Sequence, residues 1–253
     1  MLNDILLFVA IGFAAQMVDG ALGMAYGLTA TSVLLSFGTS PAVASASVHA
    51  AEVFTTAASG AAHWRLGNVD RALIWRLAVP GMLGGAAGAW VLATFPGEQL
   101  KPFVAAYLLL AGLVVLARGL NGKPSTPIEG CDLRAWHTRT IGLSGGCLDA
   151  VGGGGWGSLV TSTLIWSGIT PRIAIGTVNA AEFFVTTVIA TTFIATIGLD
   201  LWPVILGLVI GGIVAAPFAA LAARHLPDRP LMLLVGTLIV ALSLRQLIKF
   251  FAG

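Results

Sequence analysis

Four carboxylates in this 253-residue chain stand where a carboxylate is expensive. Asp19, Glu52, Asp149 and Glu182 lie well inside long apolar stretches, whereas the other seven acidic residues fall at termini or in loops. In lipid each would be strongly disfavoured, so each is expected to face protein or a wet cavity. Two chemistries fit them. They can gate or couple transport as proton carriers, or they can cap interrupted helices, which suits the aspartates beside glycines. His49 lies three residues before Glu52, which on a helix puts both on one face. A His–Glu pair can hold or pass a proton near neutral pH. Asn179, three residues before Glu182, cannot. That asymmetry predicts coupling in one half and a more structural role in the other, although His49 also reads as a buried hydrogen-bonding residue.

The glycine runs carry a second kind of chemistry. Gly152, Gly153, Gly154 and Gly155 precede Trp156, Gly157 and Ser158, and the corresponding run holds Gly20, Gly23, Tyr26 and Gly27. Unwound backbone at membrane depth is tolerated only where it lines a cavity or is buried in protein. A half-helix starting there would offer free N–H groups and a positive dipole end, an anion site that needs no Lys or Arg. Close helix packing is the competing explanation, since small residues are ordinary at membrane helix contacts. Four consecutive glycines favour the anion site. Cys147 reads as a small core residue.

The elements that must position these residues are membrane helices. Apolar residues make up 57% of the chain and charged residues 9%, where a soluble domain carries roughly a quarter charged. Mean hydropathy is +0.93. The apolar stretches fall near 5–18, 21–37, 42–62, 72–95, 102–117, 140–148, 156–169, 173–197, 201–223 and 231–248. Several reach the roughly 20 residues needed to cross hydrocarbon, and none alternates as a barrel strand would. The first stretch lacks the basic start and small-residue cleavage site of a signal peptide. Cys131 and Cys147 are too few for a disulfide framework or a Cys-based zinc site. Neither a metal nor a cofactor is expected, and the net charge of +2 gives no reason to expect nucleic acid. The lipid bilayer is the expected surrounding, with Trp64, Trp75, Trp136 and Trp202 as an interfacial belt.

A shift of 130 residues superposes 12–56 on 142–186 without a gap, with 16 of 45 positions identical. Asp19 falls on Asp149, Gly27 on Gly157, Thr31 on Thr161, Pro41 on Pro171 and Glu52 on Glu182. Asp70 also matches Asp200. The chain is therefore a duplication, with a first transmembrane repeat at 1–118, a cytoplasmic linker at 119–139 and a second repeat at 140–253. As a single helix, residues 4–37 would run about 50 Å, too long for hydrocarbon. Breaks are expected at Asp19-Gly20 and Gly23, and at Asp149 followed by the four glycines. The predicted fold is all-α and polytopic, each repeat a broken re-entrant hairpin followed by three transmembrane helices, with the two repeats inverted. In that arrangement ten basic residues share one side and three the other; a parallel arrangement gives nine and four, so charge alone does not choose.

These residues resemble a known family. The glycine-rich opening with Asp19-Gly20, then Gly38-Thr-Ser-Pro-Ala-Val-Ala-Ser-Ala46, then Gly67-Asn-Val-Asp70, is similar to the TauE/SafE membrane proteins. Gly168-Ile-Thr-Pro171 and Val178-Asn-Ala-Ala-Glu182 extend the likeness into the second repeat. The resemblance implies a secondary transporter, not an enzyme, that exports a small sulfur-containing anion of the sulfite or sulfoacetate type across the inner (plasma) membrane. The proton gradient or membrane potential would drive it, and a homodimer is compatible with it. Two other readings stay open. One is an intramembrane phosphatase-like enzyme, against which stands the lack of an Arg near the glycine runs. The other is a cation-coupled carrier or channel using the four carboxylates. No nucleotide-binding loop is present.

Overall fold

The computed structural model describes residues 2–22, 24–121, 135–167, 169–198, 202–222 and 228–252. Every regular element among them is helical. The first repeat contributes α1 (Leu2–Leu22), the short α2 (Tyr26–Ser36), α3 (Pro41–Arg65), α4 (Arg71–Thr94) and α5 (Gly97–Asn121). The second contributes α6 (Ala135–Gly152), a short arm made of a π-helical turn Gly157–Thr161 and α7 (Ser162–Trp166), then α8 (Pro171–Ile197), α9 (Trp202–Ala222) and α10 (Asp228–Ala252).

Local sequence sets the ends. Pro41 and Pro171 open α3 and α8, where a missing N–H costs nothing. The Asp70 carboxylate caps α4, accepting from the Ala72 and Leu73 N–H groups at 2.9 and 3.1 Å. Both broken segments lie where expected, but the break positions need correction. α1 runs unbroken through Asp19-Gly20 to Leu22, and the chain leaves helical form at Met24 and Ala25. Likewise α6 continues through Asp149 to Gly152 and breaks at Gly153–Gly155. Gly23 lies outside the described residues. So does most of the expected linker: α5 extends to Asn121 and α6 starts at Ala135.

The helices pair across the repeats. The most extensive packing joins α1 to α9, α4 to α6, α5 to α10 and α3 to α8. Glycines set the close approaches and reveal the directions. Gly207 sits on Ile5 and Phe8, and Gly211 on Val9 and Phe13, so α1 and α9 run the same way. Gly142 sits on Leu77, Gly146 on Gly81, and Gly88 on Cys147, so α4 and α6 also run the same way. Gly112 meets Ile239 while Gly119 meets Leu233, which makes α5 and α10 antiparallel. Gly60 meets Ala180, and farther toward the start of α3 the His49 ring lies tilted against Phe193, so α3 and α8 are antiparallel too.

Polarity is arranged inside out. His49, Glu52 and Asp149 are buried, while Leu83, Leu110, Phe103 and Ile248 each expose more than 60% of their surface. Apolar exposure on that scale needs a lipid or protein cover. Four segments among the described residues are long and apolar enough to span a membrane: Arg71–Thr94, Gln99–Leu120, Ile173–Ile197 and Met232–Ala252. α3 and α9 are 25 and 21 residues long; α3 falls short on composition because it holds the site's His49, Glu52 and several hydroxyls. The four tryptophans read as a belt are exposed and near helix ends.

Candidate functional site

The two breaks meet at the centre of the molecule. Gly27, in the first turn of α2, lies directly on the backbone of Gly153 and Gly154; a methyl group on Gly27 would come within 2.5 Å of the Gly154 Cα. Gly153, Gly154 and Gly155 have φ of 67°, 142° and 133°, conformations that side chains disfavour. In the first repeat Ala25 takes the position of Gly155 and adopts φ 86° despite its methyl group. Close packing therefore accounts for much of the glycine run. The Thr31 hydroxyl donates to the Gly153 carbonyl, and the Tyr107 hydroxyl donates to the Gly154 carbonyl at 3.1 Å.

The aspartates act alike in the two copies. Asp149 Oδ1 accepts from the Trp156 N–H at 2.8 Å, and Asp19 Oδ1 accepts from the Tyr26 N–H at 3.4 Å. Each reaches seven residues ahead across its break to the start of the returning arm. The capping alternative thus describes both aspartates in this arrangement. The starts of α2 and of the Trp156 arm are occupied by the protein's own carboxylates.

His49 does not pair with Glu52 as its helical spacing suggested. Its Nε2 lies 3.2 Å from Asp149 Oδ2, in the other repeat, and its Nδ1 lies 2.8 Å from the Ser45 carbonyl oxygen. The backbone carbonyl fixes the ring so that its far nitrogen points across the interface. Asn179 repeats the first half of this pattern, donating to the Ile175 carbonyl at 3.0 Å. Ile175 is the repeat equivalent of Ser45.

Glu52 is 4% exposed. One of its carboxyl oxygens sits beside Gly27, and the other has no hydrogen-bond partner. Asp19, Asp149 and Glu182 are close enough to interact with it electrostatically, so the four carboxylates converge. Among the described residues they form no grouping suited to a metal ion. Tyr26 and Trp156 are both buried behind the breaks; the Tyr26 hydroxyl donates to the Leu208 carbonyl and the Trp156 indole to that of Val178. Ser158 donates to the Gly155 carbonyl at 3.0 Å. Gly20 is in the last turn of α1, short of the break. Cys147 is half-buried, and its backbone packs against Gly84 and Gly88 of α4. Tyr107 and Thr31 were not singled out as site residues. The signal for Tyr107 was available: the chain has only two tyrosines, and Tyr107 lies within an otherwise apolar span.

A buried polar centre, two helix breaks in contact and an apolar exterior define a polytopic helical membrane protein. The family model described as Sulfite exporter TauE/SafE matches residues 8–246. The chain is also 41% identical over 252 residues to the "Probable membrane transporter protein YtnM" of Bacillus subtilis (strain 168), covering 98% of this chain and 84% of that one. The chain belongs to the TauE/SafE family, which places it among membrane transporters. No solved structure matches it.

Proposed function

We propose that this chain is a secondary transporter that exports a small sulfur-containing anion of the sulfite or sulfoacetate type across the inner membrane. The family description carries the substrate class, and the meeting of the two breaks supplies a place for it. Helix starts favour negative charge. Here Asp19 and Asp149 hold the first N–H of each returning arm, and Gly27 touches Gly154, so the arrangement is closed. When the arms separate and the carboxylates withdraw, the freed N–H groups around Tyr26, Gly27, Trp156 and Gly157 receive the anion. Its binding site is then made by both repeats.

An inverted arrangement of repeats 1–118 and 140–253, each with a re-entrant hairpin, accompanies this reading. The antiparallel packing of α3 on α8, which are repeat equivalents, supports it, as does that of α5 on α10. Equivalent helices in a parallel duplication would run the same way. In the second repeat, Gly145 of α6 packs on Trp156 and Val160 of the returning arm. Arg118, at the end of α5, donates to Ser162 farther along that arm. Both contacts suit an arm that turns back toward the side it came from. Inversion puts the two half-sites on opposite approaches to one centre, as alternating access requires.

The convergence of four carboxylates keeps a cation-coupled carrier as the second reading. Purified protein in liposomes loaded with sulfite separates the two. Sulfite efflux well above that of empty liposomes, unaffected by replacing Na⁺ with K⁺, is the expected result. Glu52→Gln should slow it by up to roughly tenfold, since a buried hydrogen bond contributes about 0.5–1.5 kcal/mol. Efflux no faster than from protein-free liposomes would remove the sulfite reading, and a strict Na⁺ requirement would favour the cation-coupled one.

A further inference from the structure

We propose that His49 and Asp149 form a binding site for a single proton that joins the two repeats, and that this is the proton the transporter exchanges. The second clause rests on the transport reading above; the first does not.

Hydrogen-bond bookkeeping around the ring leads there. The Ser45 carbonyl oxygen, 2.8 Å from His49 Nδ1, can only accept, so Nδ1 carries a hydrogen. The Ser45 hydroxyl directs its own hydrogen to the Ala150 carbonyl at 2.6 Å. Toward Nδ1, at 3.2 Å, that hydroxyl is therefore a second acceptor. With Nδ1 protonated, a neutral imidazole presents a bare lone pair at Nε2. That lone pair faces Asp149 Oδ2 at 3.2 Å. An ionised carboxylate has only lone pairs as well. The contact is a hydrogen bond only if one proton lies between the two groups, on the carboxyl or on the ring.

Both groups are fully buried, so two opposed acceptors would lack water to relieve them. Asp149 cannot turn away freely, because Oδ1 holds the Trp156 N–H. Loss of the proton therefore pushes α6 from α3 at the point where the second break starts. Among the described residues, the titratable groups that interact with Asp149 are Glu52 on α3, Glu182 on α8 and Tyr107 on α5, with Asp19 at the end of α1 and Tyr26 on the far side of Glu52. All are acids, and none supplies a standing positive charge in place of the proton. The equivalent place in the other half has Asn179, which does not titrate.

Asp149→Asn tests the site directly. Its amide oxygen can accept the Trp156 N–H while its amide nitrogen donates to His49 Nε2, so both bonds survive without an exchangeable proton. His49→Gln is a second variant of the same kind, its amide donating to Asp149. In purified protein, the unfolding midpoint of the wild type should fall by about 3 °C relative to either variant as pH is raised from about 5 to 8. Nitrogen-15 histidine spectra of the wild type, with His49 assigned by its absence in His49→Gln, should keep Nδ1 protonated at every pH. A neutral His49 protonated on Nε2, or unfolding curves with the wild-type pH dependence in a folded variant, would overturn the site. In sulfite-loaded liposomes with a pH-sensitive dye, wild-type efflux should move protons, and Asp149→Asn should lose that proton flux. Sulfite efflux with unchanged proton flux in Asp149→Asn would sink the coupling role. Absence of any efflux in the wild type counts against the substrate reading and leaves the spectra to judge the proton site.

Discussion

At the scale of single residues, the site is governed by backbone groups that need partners at two helix breaks. Ala25 adopts φ 86° where its repeat equivalent is Gly155. A left-handed conformation costs an L-residue roughly 1–2 kcal/mol, partly offset because glycine is freer in the unfolded chain. Ala25→Gly should therefore raise the unfolding free energy by about 0.5–1 kcal/mol, read as a higher denaturation midpoint with anion transport retained. Gly27→Ala should do the reverse. Its methyl would meet the Gly154 Cα at 2.5 Å and Glu52 at 2.8 Å, and because the first of these is backbone neither side can yield cheaply. A loss of about 1–3 kcal/mol is expected, and an unchanged midpoint would mean that the breaks do not touch. The four carboxylates were legible in sequence because charge in an apolar stretch is conspicuous. Their partners were not. His49 and Glu52 share a helix face, but the Ser45 carbonyl turns the ring to an aspartate 100 residues away. Asp19 caps the returning arm because α1 runs on to Leu22, which brings the Tyr26 N–H within reach of its side chain.

At the scale of helices, the repeat announced the inventory and the structure supplied the pairing. The apolar stretches at 72–95 and 173–197 correspond closely to α4 and α8 (Arg71–Thr94 and Pro171–Ile197). The breaks fall at or beside the expected glycines, at Met24–Ala25 and Gly153–Gly155, whereas Asp19-Gly20 and Asp149 do not interrupt their helices, because glycine and aspartate persist in a helix whose neighbours pack tightly. Which helices touch could not be read at all, since that depends on where glycines of one repeat meet flat surfaces of the other. Gly84 shows the tightness: a methyl there would lie 1.9 Å from the Leu143 carbonyl oxygen, between α4 and α6. The principal pairs all join one repeat to the other, so neither half has a core of its own. Residues 1–121 and 135–253 expressed separately should each fail to give a stable membrane protein, whereas co-expression should restore a complex that co-purifies. A first half that is monodisperse and unfolds cooperatively alone would contradict the interlocked packing.

At the scale of the whole molecule, helix directions sort the charges by end. The end of α3, the start of α4, the end of α5, and the starts of α6 and α10 all lie at one end of the bundle, and they carry Arg65, Arg71, Arg76, Arg118, Arg139 and Arg229. Lys101, at the start of α5, and Arg245 and Lys249, near the end of α10, belong to the other. Short loops rich in Lys and Arg stay in the cytoplasm, so the arginine-rich end should face inward. Arg71 lies 4.6 Å from the Trp64 ring at that end, the kind of amphipathic anchor expected where helices leave hydrocarbon. Two repeat-equivalent loops then provide a sharp test. Thr39, before α3, and Ile169, before α8, should lie on opposite faces of the membrane if the duplication is inverted, and on the same face if it is parallel. With Cys131 and Cys147 replaced by serine, a cysteine at Thr39 should react with an impermeant maleimide added to intact cells, and a cysteine at Ile169 only after the membrane is opened. Labelling of both positions from outside would restore the parallel arrangement. It would also remove the physical basis for a centre that opens to each side in turn, because both returning arms would then approach it from the same side.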